Sequence, residues 1–414
     1  MLSQSTIKES LTRKAARRQL RRVMWVMGAV FALILVANNI VFQMIRSPQH
    51  IGTAQMIYGW ARLYKPMIFD DVRPDLVSFG YSWVRDLFDP PRMEALTGKT
   101  FFNFGMSGAT SFESLRLIQN MLAVHTPKAA LLDLRSFYDT PRDHLVESQF
   151  DERILHVNRD GSPNPQAGLY RLLKINTSGA ALAFNYRFLV THYAIASGEH
   201  REEVLPSYER RDWARARNRI EETRTLISQP RAFGEESDPR IRGKLSLHDL
   251  DASMGHLCEA GVDIKLFESP IMCGYDMSQT LAALQLVRAR APTCKSKISF
   301  HVFRYPNAVT LEGLAKEPGL SMFYRPDSHP RPPLGEMIAT RMLGLEGQPG
   351  APLLPKDFGA NVAAMDNASA TDWILTRGKR CYGQWEPGAL ESTLVDLERL
   401  RGHWAERYGP RVKN

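Results

Sequence analysis

The sequence predicts an α/β protein: a doubly wound, mostly parallel sheet in three layers, preceded by one transmembrane helix. Two observations predict it. Between residues 74 and 134, short apolar runs without helical period alternate with amphipathic stretches. Strand, helix, strand, helix, strand at that spacing is the signature of parallel crossovers. Ahead of them, residues 23–45, VMWVMGAVFALILVANNIVFQMI, form an uncharged apolar run broken only by Asn38, Asn39 and Gln43.

That run, as a helix, is about 34 Å long, enough to cross a bilayer core. Residues 1–22 hold seven basic side chains against one acid, Glu9. The asymmetry places this basic tail in the cytoplasm and the rest of the chain outside. No short apolar core with a small-residue cleavage site is present, so an anchor is expected and not a cleaved signal. The tail supplies +6 of the +9 net charge. The excess therefore faces anionic lipid, and a nucleic-acid partner is excluded because its basic stripe would sit on the folded domain. Four cysteines, Cys258, Cys273, Cys294 and Cys381, fall on the disulfide-permissive side. One or two disulfides are expected, with the pairing open, and no zinc spacing is present.

Residues 46–72 read as a juxtamembrane stem with a short helix near 53–64. PDLVSFG (74–80) is a buried strand bounded by Pro74 and Gly80. A helix follows at about 83–88, stopped by Pro90 and Pro91. A strand at 100–104, a Gly/Ser turn, and a helix capped by Thr110 or Ser111 lead to the strand AALLDL at 129–134. Residues 140–245 are rich in Arg and Glu with few apolar runs, and read as a helical insertion with a charged helix around 207–228. The sheet resumes with a helix near 246–260, a strand at 262–269, a helix at about 278–291 and a strand at 298–303. A final helix, 334–344, closes the domain at 345. The tail, 346–414, carries one amphipathic helix near 388–408.

In parallel sheets of this kind ligands bind at the strands' carboxyl ends, so the loops there hold the candidates. Ser82 follows the first strand and starts a helix. A serine hydroxyl needs a base to accept its proton. The candidate is His329, in Asp327-Ser328-His329, with Asp327 orienting the imidazole. His125 and His301 have no motif partner and read as structural. No GxSxG elbow is present, which separates the chain from the α/β-hydrolases.

With these residues in place, the chain resembles the SGNH (GDSL-type) hydrolase superfamily, especially its membrane-bound branch linked to acyl transfer onto cell-surface glycans. SFGYS resembles the first block, NFGMSGATS the second and DSHPRPPLGEMIATRMLG the last. The resemblance covers roughly residues 70–140 and 260–345. It implies Ser82 as nucleophile, His329 as base, Asp327 as acid, and an oxyanion hole containing Gly108 and Asn103, with no metal or organic cofactor. Two departures stand out. The third block's asparagine is missing, since its strand runs into Asp133-Leu134-Arg135, leaving Asn103 or Arg135 as substitutes. Acid and base are separated by one residue where most relatives have two.

The expected function is a serine esterase or O-acyltransferase acting on a cell-envelope or secreted polysaccharide. The anchor favours a transferase partnered with a membrane acyl-donor protein. The two departures support an alternative: a catalytically silent glycan-binding or assembly subunit of a polysaccharide export complex.

Overall fold

The computed structural model describes residues 4–56, 61–138, 150–197, 245–270, 277–315, 321–324 and 329–408. The chain begins with α1 (Gln4–Arg46), so the helix of the apolar run continues back into the basic tail. Residues 16–46 within it are long and apolar enough to cross a membrane, and this stretch is largely exposed along its length. Next come α2 (Ile51–Met56) and α3 (Ala61–Val72). They are not a free stem. Tyr64, Met67, Ile68 and Phe69 are buried in the core, where α3 abuts Phe102 and Phe104.

Six strands follow: β1 (Leu76–Phe79), β2 (Phe101–Asn103), β3 (Ala129–Asp133), β4 (Asp263–Glu268), β5 (Ile298–Val302) and β6 (Ala360–Asn361). They form one sheet in the order β2-β1-β3-β4-β5-β6. The first five are parallel, and β6 adds antiparallel to β5. Both faces of the sheet are buried, which is why its strands read as continuous apolar runs. Side chains alternate between two cores: Val77, Phe102, Ala130 and Leu132 join one, and Leu76, Phe101, Ala129 and Leu131 the other. The first core is covered by α6 (Ser111–Val124), α9 (Leu247–Glu259), α10 (Met277–Arg290) and α13 (Asn367–Lys379). The second is covered by α4 (Ser82–Leu87), α5 (Pro90–Thr97), α11 (Ala308–Ala315), α12 (Pro332–Leu343) and α14 (Ala389–Tyr408).

Besides the stem, the sequence reading needs three further corrections. Pro90 and Pro91 do not only stop α4; they open α5, where the first turn needs no N–H from them. The tail is part of the domain, because β6 extends the sheet and Trp404 of α14 is fully buried. The insertion contains α7 (Ala167–Thr177) and α8 (Gly179–Ala196), two apolar helices that lie against α1. The charged helix expected around 207–228 lies outside the described residues. A disulfide joins Cys258 to Cys294, and Cys381 is also disulfide-bonded.

Candidate active site

Ser82 is the first residue of α4, directly past β1. Gly80 makes that sharp entry possible, since a Cβ there would lie 2.1 Å from the Val84 side chain. His329 reaches the same point from the far end of the domain. Its turn is pinned by a bridge between Tyr324 and Pro330, and by the Arg331 N–H donating to the Phe323 carbonyl at 2.8 Å. Gly335 then lets α12 press onto α4: a Cβ at 335 would sit 1.9 Å from the Leu87 carbonyl oxygen. The result is a Ser82 Oγ to His329 Nε2 distance of 3.1 Å across 247 residues of sequence. That is hydrogen-bond reach for a nucleophile and its base. Asp327 lies outside the described residues.

The loop after β2 is clamped onto the turn that carries Ser82. The Met106 N–H donates to the Gly80 carbonyl at 2.9 Å, and Arg85 donates to Ser107 Oγ at 2.6 Å while pairing with Asp86. Gly108 sits in this loop with φ of 59°, and its carbonyl accepts from Arg62 of α3 at 2.9 Å. Arg62 also pairs with Glu113, whose carboxylate completes a capping box with Thr110. Behind the loop, the fully buried Lys65 donates to the Asn103 and Gly105 carbonyls at 2.6 Å each. Burial holds its pKa well below the usual lysine value, and the nearby Arg85 pushes the same way.

Asn103 is placed differently from the sequence expectation. Its amide nitrogen lies 3.0, 3.1 and 2.6 Å from the Val84, Arg85 and Phe88 carbonyls. Its Oδ1 accepts the Gly105 N–H at 2.7 Å. The side chain thus binds carbonyls at the end of α4, where the last helical carbonyls run short of backbone donors; that of Val84 also accepts the Phe88 N–H. Its donors are committed there and are not directed at an oxyanion beside Ser82.

At the end of β3, where the resemblance implies an asparagine, stands Arg135. Its guanidinium carbon lies 4.6 Å from the Tyr81 ring centre and 5.5 Å from that of Trp83. Those two aromatics bracket Ser82, and Trp83 also lies 6.3 Å from the His329 ring. The sequence reading missed both, although the pattern aromatic-serine-aromatic is visible in GYSW. Two residues before Arg135, the buried Asp133 has a pKa pushed up to about 7 by burial, against the opposing pull of Arg135. The next strand ends carry the buried pair Glu268–Arg304, with Thr280 donating to Glu268 at 2.9 Å. His301, on β5, is buried and held down to about 4 by desolvation, and His125 bonds to the Pro74 carbonyl. Neither histidine joins the site.

Compared with known proteins, the chain matches no family model and no curated protein sequence.

Proposed function

We propose that this chain is a membrane-anchored, extracytoplasmic serine esterase or O-acyltransferase of the SGNH type, acting on a cell-envelope or secreted polysaccharide. The observation that carries the reading is the 3.1 Å approach of Ser82 Oγ to His329 Nε2. The strand order adds support. In a doubly wound sheet of order 2-1-3-4-5, ligands bind where the order reverses, between β1 and β3. Ser82 and Arg135 follow those two strands.

In this reading His329, protonated at Nδ1, accepts the Ser82 proton at Nε2 as Oγ attacks an acyl carbonyl. The tetrahedral oxyanion collapses, the leaving oxygen takes the proton from His329, and the acyl group stays on Ser82. A glycan hydroxyl or water, deprotonated by His329, then attacks the acyl-serine and regenerates the hydroxyl. Asp327 orients the imidazole. The Gly108 and Ser82 N–H groups and the Arg135 guanidinium stabilise the oxyanion; a donor of this kind is worth on the order of 3 kcal/mol. The anchor, with its N-terminus in the cytoplasm and crossing the inner membrane, holds this site near a membrane acyl-donor protein.

The commitment of the Asn103 amide to α4 carbonyls favours a second reading, a silent glycan-binding or assembly subunit. Turnover of an acetyl ester, or acetylation of the cell's polysaccharide, decides between them. The enzyme reading requires that Ser82→Ala abolish it, and full activity in that variant would leave the binding subunit. Topology is tested separately: a reporter active only outside the cytoplasm, fused after residue 60, should be active.

A further inference from the structure

The surface of the α7–α8 hairpin is inverted relative to that of an ordinary domain. On α8 the exposed positions are Gly179, Leu182, Tyr186, Leu189, Val190, Tyr193 and Ala196, with no charge among them. Leu182, Tyr186, Leu189, Val190 and Tyr193 recur at helical spacing and form one stripe. On α7 the exposed positions are Gly168, Leu169, Leu172, Leu173 and Thr177. Several polar side chains face inward. Asn185 of α8 donates to Asn38 of α1, and Asn38 in turn donates to the Ile175 carbonyl of α7. Asn39 donates to Asn176 Oδ1 at 2.5 Å. The polar breaks in the apolar run of α1 are therefore where the hairpin docks.

A helix in water shows charge outward and apolar residues inward; this pair buries Ile175, Ala181, Phe184 and Phe188 and is apolar on its exposed face as well. It also abuts α1 at residues 38 and 39, beside the exposed Leu33, Val36 and Ile40, so its apolar stripe continues that of the anchor. Side-chain amides joining helices, with Tyr near the end of a span, suit a bilayer interior and its interface.

We infer that the α7–α8 hairpin is immersed in the outer leaflet beside α1, with lipid acyl chains covering the stripe from Leu182 to Tyr193. This rests on the reading of α1 as a membrane span. The hairpin then sets the height of the site above the bilayer through α3. The Tyr64 hydroxyl bonds Ala181 and Asn185 of the hairpin at 3.1 and 3.0 Å, while Arg62 and Lys65 hold the Gly108 loop.

The test places a nitroxide on the full chain in phosphatidylcholine–phosphatidylglycerol vesicles, at Leu189→Cys or Tyr193→Cys, with unsubstituted protein as the labelling blank. Ile34→Cys reports the anchor and Val395→Cys, on α14, reports water. Oxygen should reach positions 189 and 193 several-fold better than a polar nickel chelate does, as at 34 and opposite to 395. Chelate access at 189 and 193 with oxygen preferred at 34 would overturn the inference while leaving the anchor intact. Protection from both reagents would overturn it in favour of a second copy of the chain. Chelate access at 34 as well would remove the anchor and the inference together.

Discussion

The carboxyl edge of the sheet and the α7–α8 hairpin depart from the ordinary distribution of polarity in opposite directions. At the sheet edge, Asn103, Asp133, Ser136, Glu268, Ser269 and Arg304 are buried. On the hairpin, Leu182, Tyr186, Val190 and Tyr193 are exposed. Polar groups inside and apolar groups outside are the two informative exceptions, because each costs free energy unless something compensates. At the sheet edge the compensation is internal, through the hydrogen bonds of Lys65, Asn103 and Arg85 that fix the Ser82 turn. At the hairpin it comes from outside the chain. Rigid positioning belongs to the first region and attachment to the second.

If that division is right, the largest effects belong to the site and leave folding alone. Ser82→Ala and His329→Ala should each lower turnover by about three to six orders of magnitude. Either should change stability by less than about 1 kcal/mol. The double variant should be no worse than either single one, and additive losses would show the two residues to be uncoupled. The next effect belongs to the scaffold under the site. Glu113→Ala leaves the Arg62 guanidinium buried without its carboxylate and removes the capping box. It should cost about 3–5 kcal/mol in denaturant unfolding, and a loss below about 1 kcal/mol would mean that this clamp is not structural.

A pH series probes the same edge. The Asp133 carboxyl titrates near 7 in the folded protein because burial disfavours its charge. In the unfolded chain it ionises near the ordinary value of about 3.9. Its neutral form is thus stabilising at acid pH, and that contribution is lost as pH rises from about 4 to about 7, by up to about 4 kcal/mol. Asp133→Asn has no such loss. The difference in stability between variant and wild type should grow in favour of the variant across that window, and a pH-independent difference would contradict the assignment. A smaller effect is expected at Gly335→Ala, whose new methyl group would meet the Leu87 carbonyl. Overpacking of about 1–3 kcal/mol should accompany a fall in turnover as α12 and His329 are displaced. Unchanged turnover would mean that α12 does not set the imidazole.

Strands were easy to read because both faces of the sheet are buried. Leu76–Phe79 and Ala129–Asp133 are apolar runs bounded by Pro or Gly and by turns. Ser82 and His329 were legible because each adjoins such a boundary, although only the fold brings them together. The misreadings share one cause: long-range burial that local polarity conceals. Arg62, Lys65 and Asp70 made residues 46–72 look like an exposed stem, yet Arg62 and Lys65 are buried through partners 38 to 51 residues away. Asn103 looked like a free donor because the α4 carbonyls that occupy it come from another element. The hairpin is hard to see in the sequence because its apolar residues run directly into an Arg- and Glu-rich stretch. β6, two residues long, carries too little pattern to read.

The most direct test of the central claim, that Ser82 is a nucleophile activated by His329, is covalent labelling of the purified full chain with a serine-reactive fluorophosphonate. The fluorophosphonate should add one phosphonyl group, located by peptide mass spectrometry at Ser82, absent in Ser82→Ala and slowed by orders of magnitude in His329→Ala. An unlabelled wild type, or a Ser82 that reacts equally fast without His329, would contradict the account.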